Sequence, residues 1–149
     1  MKRLLILISF CLITINLFAQ HQPGHNTPVD PSSEIWKKLR RLKYEEVNYS
    51  FLPKFSDEIK ALDGKIITVK GFIIPMQEAS NTTYFMLSYY PYSNCYFCGG
   101  AGPETIVEVK ASKAVIFTSK AITVTGKLKL NKDDEEHLFY ILENSSLVD

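Results

Sequence analysis

The sequence contains few residues of the types that carry catalytic chemistry. Its 149 residues include three cysteines, three histidines and one tryptophan, and 17 basic against 16 acidic residues give a net charge of +1. This balance supplies no basic groove for nucleic acid, which proteins that bind its backbone require. With so few histidines, no triad of serine, histidine and carboxylate can be assembled. The composition therefore favours a protein that is not an enzyme.

A long apolar run is also lacking, since the one apolar stretch, from Leu4 to Phe18, is shorter than the roughly 20 residues of a spanning helix. Lys2 and Arg3 precede it and Ala19 ends it, which predicts a signal peptide over residues 1–19 and export to the periplasm. Secretion, or anchoring by an uncleaved signal, is the alternative. Cleavage leaves 130 residues with a net charge of −1 and no stable membrane span.

Cleavage also removes Cys11, so that Cys95 and Cys98 are the cysteines of the exported chain. They open a segment that is unusually rich in glycine. We take the segment's other residues as its loop and rim: Tyr96, Phe97, Gly99, Gly100, Gly102 and Pro103. Two thiols at this spacing can form a disulfide or bind a soft metal ion. The segment is therefore the candidate site.

Three interpretations of the thiol pair stay open. An oxidising compartment favours a disulfide. Zinc or copper is the candidate metal, with His137 and Glu104 as candidate additional ligands. Thiol-disulfide exchange requires nearby cations, and no Lys, Arg or His lies between Lys70 and Lys110. Covalent haem is excluded because a glycine follows Cys98 where that motif needs histidine.

The rest of the exported chain predicts a leader and one domain. Residues 20–33 hold three prolines and no apolar run, which predicts a disordered leader. Residues 34–149 form the predicted domain, which begins with a short amphipathic helix within residues 33–43 and continues with an extended aromatic stretch over residues 44–53. Residues 55–62 predict one or two helical turns capped by Ser56.

Alternating apolar residues then predict five strands, over residues 65–75, 82–90, 105–109, 122–130 and 138–142. Residues 112–119 fit either a helix or a strand. Gly71 and Gly126 lie within strands, where glycines mark bends of small barrels. The pattern predicts a mainly β fold, a five-stranded Greek-key barrel of the OB type, with a small β-sandwich as the alternative.

Several short motifs resemble those of an exported bacterial family, the domain of unknown function 3299. They are Leu62-Asp63-Gly64-Lys65, Gly71-Phe72-Ile73-Ile74-Pro75, the strand from Glu104 to Val109, and Val124-Thr125-Gly126-Lys127-Leu128. The resemblance covers about residues 51–142. It implies an OB-like barrel, no established catalytic activity, and a link to metal handling through the family's association with transport systems. In many members a proline-rich run follows the first cysteine, whereas here Cys98 and a glycine-rich turn take that place.

Together these features predict an exported, non-enzymatic accessory module of the cell envelope. Its cysteine segment would contact a soft metal ion or a partner protein, such as a component of a transport system. The alternatives are a redox protein that uses Cys95 and Cys98, and a protein-interaction module in which the two form a purely structural disulfide.

Overall fold

A computed structural model describes residues 34–47, 50–74, 76 and 81–148 of the chain. The predicted signal peptide, the predicted leader and Cys11 lie outside the described residues. Among the helices of the described part, none is long and apolar enough to span a membrane.

Two short helices and seven strands make up the regular structure. The helices are α1 (Glu34–Leu39) and α2 (Asp57–Lys60), and the strands are β1 (Lys43–Val47), β2 (Ser50–Lys54), β3 (Ile66–Ile74), β4 (Asn81–Ser88), β5 (Ile106–Ile116), β6 (Ile122–Leu130) and β7 (Tyr140–Leu147). Ser56 caps α2 as predicted, because its side chain accepts a hydrogen bond from the Ile59 N–H.

Strands β3 to β7 close into a barrel in the order β3-β4-β5-β7-β6, with β6 returning to β3. All neighbours are antiparallel except β5 and β7, which are parallel. This single closed sheet confirms the predicted OB-like barrel and not the β-sandwich. The hairpin of β1 and β2 forms a separate two-stranded sheet.

Gly71 marks the point where β3 changes partner. Residues up to Gly71 pair with β6, and residues from Phe72 onward pair with β4. A Cβ atom at Gly71 would lie 2.6 Å from the Ser88 carbonyl oxygen, so a side chain there would collide with the backbone of β4. The glycine therefore permits the close approach by which the sheet turns the corner of the barrel.

The barrel interior contains one large apolar core, and α1 packs against it. Trp36 and Leu39 of α1 are fully buried in this core. The indole N–H of Trp36 donates to the Lys70 carbonyl (2.7 Å), and the Tyr140 hydroxyl donates to the Leu39 carbonyl (2.9 Å). These two bonds fix α1 to β3 and β7 while satisfying the polar atoms of two buried aromatic side chains.

Three parts of the predicted strand pattern differ from the structure. The last strand, predicted over residues 138–142, is β7 and runs over Tyr140–Leu147. The undecided stretch over residues 112–119 begins as strand, because β5 continues to Ile116. It is mostly exposed there, so apolar alternation does not reveal it. The extended stretch over residues 44–53 is the hairpin of β1 and β2, whose pairing the sequence analysis did not anticipate.

Candidate functional site

The cysteine segment lies in the connection from β4 to β5, as predicted. We call residues 89–105 the cysteine loop; its base is closed by a hydrogen bond from the Tyr89 N–H to the Thr105 carbonyl (2.9 Å). The loop contains three single 3₁₀ turns, over Tyr92–Asn94, Tyr96–Cys98 and Pro103–Thr105. Short turns of this kind suit a segment in which glycine and proline prevent a longer helix.

The two cysteines are free thiols whose sulfurs lie 3.7 Å apart. Cys95 is fully buried and Cys98 is exposed. The Cys98 Sγ also lies 3.0 Å from the Tyr92 carbonyl, to which it donates. The hydrogen bond with Cys95 is the main cause that raises the pKa of the Cys98 thiol. This direction is opposite to the one that activates a thiol for exchange chemistry.

Two glycines shape the turn that follows Cys98. Gly99 has a φ of 73°, in the left-handed region that favours glycine. A Cβ atom at Gly100 would lie 2.9 Å from the carbonyl oxygen of Asn94, so the chain folds back on itself more closely than another residue would allow. The glycine-rich sequence thus holds the loop in a compact shape around the thiols.

The cysteine loop covers the outside of the barrel. Cys95 packs with three buried residues of the strands beneath it, namely Ile74, Met86 and Ile106. Tyr84, Tyr96 and Leu138 pack against this small group, which we call the outer cluster. Cys95 is therefore a core residue of the outer cluster as well as half of the thiol pair.

A buried carboxylate lies at the margin of the outer cluster. Glu108 of β5 is fully buried, and the Nδ1 atom of His137 lies 2.9 Å from its Oε1 and 3.1 Å from its Oε2. The contact with Oε2 has hydrogen-bond geometry, and Oε2 also accepts from the Leu138 N–H (3.2 Å). An ionised carboxylate only accepts, so the His137 tautomer that pairs with it is the one that donates from Nδ1.

Two further side chains face Glu108. Lys110 places its Nζ 3.6 Å from Oε1, which has no hydrogen-bond donor among the described residues. Burial, and next the charge of Glu108, raise the pKa of Tyr84. Glu108 could not be predicted from the sequence, because an acidic residue between Val107 and Val109 has the pattern of a solvated outer face.

The turn between β6 and β7 brings His137 to this position. The side-chain amide of Asn131 donates to the carbonyl oxygens of Asp134, His137 and Leu138 at 2.7 to 3.3 Å. Asn131 Oδ1 in turn accepts from the Asp134 N–H. One buried asparagine thus satisfies four backbone groups of the turn and helps to fix the histidine over Glu108.

A groove beside the cysteine loop consists of two adjoining hollows, of about 270 and 380 Å³, that share Phe51, Tyr96, Pro103 and Phe139. We call it the aromatic groove; its apolar walls are Tyr44, Phe51, Tyr96, Pro103 and Phe139. His137 also lines it. The Tyr44 hydroxyl donates to Glu104 (2.7 Å), and burial together with this carboxylate raises the pKa of Tyr44. Glu104 therefore fastens the hairpin to the loop.

The structure places the predicted site residues in two groups. Tyr96 and Pro103 line the aromatic groove, while Phe97 is exposed on the cysteine loop. Glu104 is bonded to Tyr44 and His137 to Glu108, so neither joins the sulfurs. Within the described residues, no group of three or more His, Cys, Asp or Glu side chains is arranged to hold a metal ion.

These features define a small OB-like β-barrel whose outer surface carries a cysteine loop and an aromatic groove. The chain belongs to the domain of unknown function 3299 family. The profile described as Protein of unknown function (DUF3299) matches residues 28–147, which is more than half of the chain. No curated protein and no solved structure matches the chain.

Proposed function

We propose that the chain is an exported, non-enzymatic accessory module of the cell envelope whose cysteine loop binds a soft metal ion. The observation that carries the proposal is the pair of free thiols 3.7 Å apart in a loop held compact by glycine. Thiolates are soft ligands that select copper(I) and zinc.

Copper(I) suits this pair better than zinc. A structural zinc site takes four protein ligands, and the described residues offer no third His, Cys, Asp or Glu beside the two sulfurs. Cys98 is exposed and Cys95 is buried, so an ion would enter from the Cys98 side. A two-ligand site open on one side favours transfer of the ion over permanent storage.

Contact with a partner protein is the second candidate function of the loop. Tyr92 and Phe97 are large aromatic side chains that are 62% and 49% exposed there. Aromatic residues are enriched at protein interfaces. An envelope protein that receives the ion would dock against this surface, so the two functions are compatible.

A titration of the reduced chain with copper(I), against a competing chromophoric chelator, tests the metal hypothesis. The wild type is compared with the double variant Cys95→Ser, Cys98→Ser and with Ile66→Ser, at an exposed position of β3, as the control. We expect the wild type and Ile66→Ser to bind one ion and the double variant to bind none. Equal binding by all three would overturn the proposal.

A redox titration separates the remaining alternatives. A potential well below about −300 mV would mark a structural disulfide, and a higher one an exchange-competent couple. The raised pKa of Cys98 lowers the fraction of thiolate that can attack a disulfide, and it makes this thiol a poorer leaving group. We therefore expect slow reaction with a disulfide substrate.

A further inference from the structure

The aromatic groove presents exposed aromatic side chains on the outside of the barrel. Phe51 on its wall is 70% exposed, and Tyr44, Tyr96 and Phe139 stand around it. Concave surfaces lined by aromatic side chains are typical binding sites. The groove lies next to the thiols, because Tyr96 on its wall directly follows Cys95, yet no cysteine lines it.

The charge at one end of the groove is negative. Asp134 and Glu135 line that end, and neither forms an ion pair with any described residue. The cation that lines the same end, Lys132, lies 3.2 Å from Glu45 and is neutralised by it. Asp133 and Glu136, which flank this acidic pair in the turn, are also exposed. A ligand of the groove is therefore expected to carry positive charge.

The backbone beside the groove favours a polypeptide as the ligand. Three consecutive residues of β2, from Ser50 to Leu52, line it. Among the described strands β2 pairs with β1 alone, so its other edge offers unpaired N–H and C=O groups. Extended peptides bind by pairing with such an edge while their side chains occupy adjoining pockets.

We propose that the aromatic groove binds an extended segment of a partner protein that alternates basic and apolar residues. The apolar side chains occupy the space between Phe51 and Phe139, and the basic side chains meet the turn at Asp134 and Glu135. Basic groups also bind favourably over aromatic faces. The proposal depends on groove residues and not on metal binding. It is therefore independent of the function proposed for the thiols.

Fluorescence anisotropy of dye-labelled synthetic peptides tests this inference on the full chain. The probe is an eight-residue peptide of alternating Arg and Leu. One control peptide replaces every Arg with Glu, and another replaces every Leu with Ser. We expect the Arg-Leu peptide to bind at least tenfold more tightly than either control, because charge and apolar surface are both required.

Variants of the chain locate the binding. Phe51→Ser removes the exposed aromatic wall, and Ile66→Ser is the matched control, since Ile66 is 71% exposed on β3 and does not line the groove. We expect Phe51→Ser to weaken binding of the Arg-Leu peptide about tenfold and Ile66→Ser to leave it unchanged. Glu135→Lys should weaken the same peptide and strengthen the Glu-Leu peptide.

Three results would overturn the inference. They are equal binding of the charged and charge-reversed peptides, equal effects of Phe51→Ser and Ile66→Ser, and concentration-dependent self-association of the wild type that Phe51→Ser abolishes. The last would show that the groove holds a second copy of the chain. Cys98→Ser, at the exposed thiol that does not line the groove, should keep the peptide binding and lose the metal binding, which distinguishes failure at the thiols from failure at the groove.

Discussion

Where residues 85–88 of β4 pair with residues 106–109 of β5, the inward and outward faces are both buried, but different parts of the chain cover them. Leu87 and Val107 face each other across the two strands in the barrel core, where all five strands enclose them. Met86 and Glu108 form the neighbouring pair on the outside, under residues of the cysteine loop and the β6–β7 turn. A closed sheet buries its inner face by its own geometry, whereas the outer face depends on two irregular segments.

The difference assigns separate roles to the two faces. The interior makes the barrel stable, and the outer cluster positions the thiols, His137 and the groove walls. Regions with few enclosing elements open more readily than a closed core. The candidate site is therefore built on the part of the molecule that can rearrange without unfolding the barrel.

The largest expected effect contrasts Leu87→Ala with Met86→Ala. Leu87 is fully buried among rigid strands, so its truncation leaves a cavity and should cost about 3 to 4 kcal/mol. Met86→Ala should cost about half as much, because the cysteine loop can close over the gap. Urea denaturation of both variants measures this. Equal losses would show that the outer cluster is packed as firmly as the barrel core.

A smaller effect is expected at the buried carboxylate. Glu108→Leu leaves the Leu138 N–H and the His137 ring without their acceptor, which should cost about 2 kcal/mol. Glu108→Gln keeps an acceptor oxygen at similar size and should cost less. Hydrogen exchange of the β6–β7 turn, measured beside global stability, reports whether the turn detaches. A Glu108→Leu variant as stable as the wild type would show that the carboxylate does not hold the turn.

The same contrast explains what the sequence could predict. Alternation at Ile122, Val124, Gly126 and Leu128 follows from the inner face of one strand, and it predicted β6 with the bounds observed. Contacts of the outer face join residues far apart in sequence, such as Glu108 with His137 and Tyr44 with Glu104. No local pattern encodes those pairs. The thiol pair could be predicted because its two cysteines lie three residues apart in the sequence. The groove could not be predicted, because its walls come from distant parts of the chain.

The smallest effect concerns the bond that fastens the hairpin to the outer face. Tyr44→Phe removes the hydroxyl that donates to Glu104 and should cost about 0.5 to 1 kcal/mol at neutral pH, since Tyr44 is partly exposed.

The stability of Tyr44→Phe should also differ from that of the wild type in its dependence on pH in the alkaline range. The folded-state pKa of Tyr44 is raised by burial and by Glu104, so the stability that depends on its neutral form is complete below the ordinary tyrosine pKa of about 10. That stability is lost as the pH rises above this value, because only the unfolded chain ionises readily there. Stability measured between pH 8 and 11 should fall less steeply for Tyr44→Phe than for the wild type. A slope that remains would come from three other groups with raised pKa values, namely Cys98, through its hydrogen bond with Cys95, and Tyr84 and Tyr140, through burial. Identical slopes would show that the hairpin separates from Glu104 in solution, and the groove would then lack the fixed wall that Tyr44 provides.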